Sequence, residues 1–192
     1  MQADEDASDA EIVAAVRAGD IQAFSVIVRR YEATVAATVV GMMGPGDDAE
    51  EVGHETMIKL YRSLDRFNGD AQLSTYLTRI AINASLDALR RRQRNIKRFF
   101  SPPADEDGLD WEDQIPSGAD HARDFETRQA ISYALKRLKP EYRAVAVLRL
   151  VQELRVEDVA TILNVPQGTV LSRLSRAKTQ LAKILKSELN YV

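Results

Sequence analysis

The chain has 192 residues, 45% hydrophobic and 29% charged, with a formal net charge of −3, which suits one or two small soluble domains. No apolar run approaches the roughly 20 residues needed to span a bilayer, and the start Met1-Gln-Ala-Asp-Glu-Asp is acidic where a signal peptide is basic, so a cytoplasmic protein without membrane insertion is expected. Zero cysteines remove disulfides, thiolate nucleophiles and cysteine-based zinc sites, and His54 and His121 are too few and too scattered for a metal site; no metal or cofactor is expected.

Residues 1 to about 7 are read as disordered. A helix is predicted after Ser8 or Asp9, with Ile12, Val13 and Val16 on its apolar side, and Gly19-Asp20 ends it and caps the next. From Ile21 to about Gly41, Phe24, Ile27, Val28, Tyr31 and Val35 follow helical spacing. Residues 41–46 read as a loop; their glycines are no phosphate cradle, since no Gly-Lys-Ser/Thr follows and no strand precedes. Asp47-Asp-Ala-Glu-Glu then opens a helix whose acids favour its N-terminus and whose apolar side is Val52, Ile58, Tyr61 and Leu64.

After a Gly-containing turn at 67–70, Ser74 is read as the cap of a helix over about 75–92, with Leu77, Ile80, Ala81, Ala84, Ala88 and Leu89 buried. Over residues 86–100 six Lys or Arg face one acid, Asp87. That exceeds what a helix C-terminus needs and points to a strip that contacts phosphates. Residues 99 to about 121 change composition abruptly, with Pro102-Pro103, Gly108, Pro116 and many acids, and read as a linker. Its roughly 23 residues reach at most about 75 Å.

Beyond it, a helix over 124–138 uses Phe125, Ala130, Ile131, Ala134, Leu135 and Leu138, and another over 141–151 uses Val145, Leu148 and Val151. Val156, Val159, Ala160 and Leu163 form the stripe of a short helix that stops at Asn164-Val165-Pro166. From about Gln167 a second helix buries Val170, Leu174, Ala177, Leu181, Ile184 and Leu185. Its opposite side carries Ser172, Ser175, Arg176, Thr179, Lys183 and Lys186, flanked by Arg173 and Lys178. From Asn164 to Val192 five Lys or Arg face one acid, Glu188. This is the pattern of a helix-turn-helix whose second helix enters the major groove of DNA.

The wording of these stretches resembles a known family. Pro140-Glu-Tyr-Arg, Glu157-Asp-Val159-Ala160 and Gly168-Thr-Val170-Leu-Ser-Arg173-Leu-Ser-Arg176-Ala177 are similar to the C-terminal DNA-binding domain of extracytoplasmic-function sigma factors, initiation subunits of bacterial RNA polymerase. Asp47-Asp-Ala-Glu-Glu-Val and Glu55-Thr resemble the segment by which the family docks on polymerase, and Phe67-x-Gly69-Asp70, Tyr76-Leu77-x-Arg79-Ile80-Ala81-x-Asn83 and Asp87-x-x-Arg90 resemble its promoter-melting part. Four departures stand out: Arg155 replaces a usual Ser cap, Asn164 a frequent Gly, His54 a common Gln and Tyr76 a usual Trp.

The resemblance implies an all-α fold of two small helical domains, a sigma region 2 bundle over 1–97 and a sigma region 4 helix-turn-helix over 122–192, joined by a flexible acidic linker over 98–121. It implies core RNA polymerase as partner, through the beta-prime clamp helices and the beta flap, together with promoter DNA and a cognate anti-sigma factor. In this reading Asp47, Asp48, Glu51, His54 and Glu55 dock on polymerase. Phe67, Asn68, Asp70, Arg79, Asn83, Arg90 and Arg91 serve the minus-10 element, with an extruded base stacked on Phe67. Leu171, Ser172, Arg173, Ser175, Arg176 and Lys178 serve the minus-35 element: Ser172, Ser175 and Arg176 at base edges, Arg173 and Lys178 nearer phosphates, and Leu171 at a thymine methyl. No enzymatic activity and no small-molecule substrate are expected.

Two competing readings predict different observables. A conventional helix-turn-helix regulator binds a two-fold duplex site without polymerase, and gives Phe67, Asn83 and the arginine run no role. A small helical enzyme built on the carboxylates of 47–55 predicts a bound metal, for which the sequence offers no ligand set.

Overall fold

The computed structural model of the chain describes residues 7–99 and 122–189. Every regular element among these residues is helical. The disorder expected for residues 1–6, the linker reading of 100–121 with Trp111, and the last three residues lie outside them.

Helix α1 (Asp9–Arg17) begins at a reciprocal capping box. The Ser8 N–H donates to the Glu11 carboxylate at 2.8 Å, and the Glu11 N–H donates to Ser8 Oγ at 3.4 Å, so two orphan donors of the helix start are satisfied together. Glu11 is held below the ordinary carboxylate range, first by the Ser8 hydroxyl. The Asp20 carboxylate accepts from the Gln22 and Ala23 N–H groups and caps α2 (Ile21–Met43), as expected.

Helix α2 runs past the loop predicted at 41–46. Met42 and Met43 are buried, which extends the apolar pattern by most of a turn. Gly41 therefore lies inside the helix, where it lets another segment approach: a Cβ there would sit 2.9 Å from Val147 Cγ2.

Helix α3 (Asp47–Ser63) packs on α2 and on α4 (Leu73–Phe99), with a 3₁₀ turn (Leu64–Arg66) between α3 and α4. Its buried side is Ala49, Val52, Thr56 and Leu60. Ile58 and Tyr61, expected on that side, are 50% and 45% exposed. At 100° per residue they lie on the same side as Asp47, Glu51 and His54, opposite Val52 and Thr56.

Helix α4 starts at Leu73, not after Ser74, because Leu73 is buried and the Tyr76 N–H already bonds to the Gln72 carbonyl at 3.1 Å. Ser74 Oγ instead meets the Gln72 side chain at 3.5 Å. The helix also continues beyond Arg92 to Phe99. No Gly or Pro interrupts it before Pro102, and basic residues suit a helix C-terminus.

In the C-terminal half, α5 (Ala122–Lys136) buries Ala134 and Leu135 but leaves Ile131 43% exposed, contrary to its predicted place on the apolar side. The helix predicted over 141–151 divides into α6 (Pro140–Ala146) and a π turn (Val147–Val151). The Gln152 N–H reaches the Val147 carbonyl at 3.0 Å, and the Leu154 N–H reaches that of Leu148 at 3.0 Å. This widening rotates Val151 out to 47% exposure. Helices α7 (Val156–Leu163) and α8 (Gln167–Leu189) follow as predicted.

The two halves share one continuous apolar core. Helix α2 packs on α5, α6 and the π turn, and α4 packs on α7. Arg143, 7% exposed, crosses the junction: Nη1 donates to the Met42 carbonyl at 2.6 Å, and Nη2 donates to the carbonyls of Leu138 and Lys136. Burial pulls its pKa down to about 10. The group is still charged near neutrality, and three carbonyl oxygens compensate the buried charge. Gln152 donates to the Thr34 carbonyl at 3.3 Å and to Thr38 Oγ1.

Candidate nucleic-acid interfaces

The turn between α7 and α8 is fixed by backbone chemistry. Asn164 adopts the left-handed conformation, φ 51° and ψ 52°. Its N–H reaches the Thr161 carbonyl at 3.4 Å, while the Val165 N–H reaches that of Ala160 at 3.0 Å. These are the paired bonds of a Schellman ending, so Asn serves where Gly is the commoner choice. The Pro166 carbonyl then accepts from the Thr169 and Val170 N–H groups and starts α8. Arg155 gives α7 no side-chain cap, in keeping with the missing Ser.

Val170, Leu174 and Ala177 are buried against α6 and α7, and this burial aims the other side of α8 outward. Leu171 is 55% exposed, and Ser172, Ser175, Arg176 and Lys178 are exposed beside it. Arg173 is half-buried on the flank. All six predicted residues thus occupy one accessible surface. Arg176 is steadied by a hydrogen bond from Nη1 to the Tyr142 hydroxyl at 3.2 Å. Tyr142 was not among the predicted residues; it comes from α6, 34 residues away in sequence.

The second surface lies on the N-terminal half. After the 3₁₀ turn, the chain passes through Phe67, half-buried with its ring 5.1 Å from that of Tyr76 at 40°. The Phe67 N–H closes the turn onto the Leu64 carbonyl at 3.1 Å. Asn68 and Asp70 are exposed and bonded to each other across Gly69, whose φ of 80° favours glycine. On α4, Tyr76, Arg79, Asn83 and Arg90 fall on one side at helical spacing, a strip about 17 Å long from Arg79 to Arg90. Asn83 and Arg90 are exposed, and Arg90 pairs with Asp87 at 3.0 Å. Arg79 turns aside and donates to the Thr161 carbonyl of α7 at 3.1 Å.

Acidic and basic sets that stand apart in sequence meet in space. Arg91 pairs with Glu55 at 3.5 Å, Arg92 with Asp48 at 3.6 Å, and Lys59 with Glu55 at 3.0 Å. The Glu55 carboxyl is held below its ordinary range, first by the Lys59 hydrogen bond. Asp47, Glu51 and His54 are exposed along one side of α3, with Ile58 and Tyr61 continuing the same side.

Tyr142 and Gln152, whose side chains bond across long separations, carry no sequence signal. Arg143 did carry one, a cation at the head of the apolar run Ala144–Leu148. Among the described residues no group of three or more His, Cys, Asp or Glu could hold a metal ion, and no helix is long and apolar enough to cross a membrane.

Comparison with known proteins matches residues 27–95 to sigma-70 region 2 and residues 128–181 to sigma-70 region 4. RNA polymerase sigma-H factor of Pseudomonas aeruginosa is 32% identical over 93% of this chain and 94% of its own. ECF RNA polymerase sigma factor SigM of Mycobacterium tuberculosis is 36% identical over 93% and 85%, and SigW of Bacillus subtilis is 31% identical over 89% and 93%. Two solved structures share the fold. CnrH in complex with the cytosolic domain of CnrY has a TM-score of 0.67 at 20% identity, covering 93% of this chain and 97% of that one. The sigma factor RpoE of Bartonella quintana, in complex with the anti-sigma factor NepR, has a TM-score of 0.66 at 24% identity, covering 86% and 98%.

Proposed function

The chain belongs to the extracytoplasmic-function sigma factors of the sigma-70 family, non-enzymatic subunits that direct transcription initiation, and from that premise we propose how its surfaces divide the work. Helix α8 enters the major groove of a minus-35 element. Ser172, Ser175 and Arg176 meet base edges, Leu171 meets a thymine methyl, and Arg173 and Lys178 meet phosphates. The observation that carries this reading is the accessible, polar and basic side of α8, set by burial of Val170, Leu174 and Ala177.

The N-terminal half captures the minus-10 element as it opens. Phe67 offers a ring on which an extruded base stacks, Asn68, Asp70 and Asn83 offer hydrogen-bonding groups, and Arg79, Arg90 and Arg91 approach phosphates. Asp47, Asp48, Glu51, His54 and Glu55 dock on the beta-prime clamp helices, with exposed Ile58 and Tyr61 supplying apolar area on the same side of α3. The C-terminal half also meets the beta flap. Residues 1–97 and 122–192 act as the two working units, with 98–121 as the tether between promoter elements.

An anti-sigma factor is inferred as a further partner from the complex of the structurally similar RpoE. The protein acts in the cytoplasm, where polymerase works. A conventional regulator accounts for α8 but not for the paired matches to both sigma regions in order.

Purified protein, bacterial core polymerase and a pool of promoter fragments randomised at both elements test the assignment. Initiation from a selected subset is expected, lost with Phe67→Ala or Arg176→Ala in folded protein. Tight duplex binding by the protein alone, with no polymerase binding, would overturn it.

A further inference from the structure

The loop that carries Phe67 is held from outside by a residue near the N-terminus. Arg17, the last residue of α1, donates from Nε to the Leu64 carbonyl at 3.0 Å, from Nη2 to the same oxygen at 2.6 Å, and from Nη2 to the Phe67 carbonyl. Leu64 lies in the 3₁₀ turn that ends α3, where carbonyls carry the negative end of the helix dipole, and its oxygen accepts Arg17 in addition to the Phe67 N–H. A planar guanidinium can serve both oxygens at once, whereas an ammonium offers a point charge without the fork.

The pose of α1 is fixed at its other end. Arg30 donates to the Asp9 carboxylate at 2.7 Å and to the Ala7 carbonyl at 2.8 Å, and the Tyr31 hydroxyl donates to Asp9 at 2.5 Å. The Tyr31 phenol is pushed well above its ordinary value, first by burial and then by that bond, so it stays a donor at any physiological pH. Helix α1 is therefore a strut tied to α2 at its start and to the Leu64–Phe67 turn at its end. It lies before the residues that match sigma-70 region 2.

We propose that Arg17 is a positioning residue for base capture: by bonding the carbonyls of Leu64 and Phe67 it presents the Phe67 ring in fixed register with Tyr76 and α4. The inference rests on the reading of Phe67 as the platform for an extruded base. Arg17 touches no base itself and acts through the backbone of the loop. The Phe67–Tyr76 ring contact ties the loop to α4 and the Asn68–Asp70 bond restrains it locally; Arg17 adds the tie to α1.

The test uses full-length protein assembled with core polymerase, carrying Arg17→Met, Arg17→Lys, Phe67→Ala or Arg17→Met with Phe67→Ala. The readouts are affinity for fluorescent single-stranded non-template oligonucleotides covering the minus-10 element, each base substituted in turn, and the thermal midpoint of each free variant. Phe67→Ala is expected to flatten discrimination at one base by about tenfold. Arg17→Met is expected to flatten it at the same base by about fivefold, with Arg17→Lys retaining part and the double variant no worse than Phe67→Ala alone. Unchanged discrimination in Arg17→Met, with the Phe67→Ala effect present, overturns the role of Arg17 and leaves the platform standing. An equal loss for every oligonucleotide, tracking the thermal midpoint, also overturns it as a merely structural effect. No base-selective effect of Phe67→Ala removes the platform reading and this inference with it.

Discussion

Arg79 of α4 donates to the backbone carbonyl of Thr161, in the last turn of α7, at 3.1 Å. One residue from the proposed minus-10 strip is thereby bonded to the first helix of the helix-turn-helix. Thr38 and Gln152 add a second bond between the halves, and Arg143 and Met42 a third. In this closed arrangement Arg79 is bonded to protein, and its proposed contact with the minus-10 element predicts that α4 and α7 separate on promoter capture. The chain has no cysteine, which makes Thr38→Cys with Gln152→Cys a clean pair for a short reducible crosslinker. Crosslinked protein is expected to lose promoter-directed initiation and to regain it on reduction; full activity while crosslinked would show that the closed form is the working one.

Gly41 sets how closely the halves approach. A Cβ there meets Val147 methyls at 2.9 and 3.0 Å, and Val147 is buried with little room to yield. Replacing Gly by Ala in a helix gains up to about 1 kcal/mol of propensity, against an overpacking cost of about 1–3 kcal/mol. Gly41→Ala is expected to cost up to about 2 kcal/mol in thermal unfolding, whereas Gly41→Leu is expected to loosen the junction. Solution scattering should register the latter as a larger radius of gyration.

Arg143 compensates three carbonyls inside the shared core. Arg143→Met keeps much of the stem but leaves those oxygens without their donor. A loss of about 3 kcal/mol is expected in urea unfolding, on the scale for breaking a buried charged interaction. Loss within about 0.5 kcal/mol would mean that the carbonyls find other donors.

Tyr142 and Arg176 separate positioning from readout on α8. Arg176→Ala is expected to weaken binding to a selected minus-35 duplex by about 1–3 kcal/mol and to relax preference at one base pair. Tyr142→Phe removes one hydrogen bond to the guanidinium and is expected to cost about 1 kcal/mol without changing which base is preferred. Fluorescence titrations against single-substituted duplexes distinguish the two patterns.

Glu55 predicts a pH dependence. Its carboxyl is held below the ordinary value of 4.5 first by the hydrogen bond from Lys59, with attraction from Lys59 and Arg91 adding to it and burial opposing. A depressed carboxyl pKa means the unfolded state binds more protons than the folded one near that pH. The stabilisation is thus complete above 4.5 and is lost as pH falls through the lowered value. Wild type is expected to lose more of its urea midpoint than Glu55→Gln between about pH 6 and about pH 3; parallel losses would remove Glu55 as a contributor.

Local chemistry was enough to read most elements from sequence: Ser8 and Asp20 mark helix starts, Asn164 a left-handed stop, and the Val170, Leu174, Ala177 spacing the buried side of α8. These signals act within a few residues and depend little on what lies across the molecule. The misread positions are the ones decided from a distance. Gly41 reads as a loop residue until Val147 is seen against it, Ser74 as a cap until burial of Leu73 starts the helix earlier, and Ile58, Ile131 and Val151 as core until their neighbours prove absent.

The helical periods, the turn before α8, the segregation of charge and the resemblance that named both halves are legible along the chain, because each is written in nearest neighbours and helical spacing. That α4 and α7 touch, that Arg91 and Arg92 answer Glu55 and Asp48, and that Arg17 bonds the Phe67 loop emerges from the folded chain alone. Those contacts join residues 36 or more positions apart, and no periodicity along a helix encodes which distant carbonyl or carboxylate a guanidinium will meet.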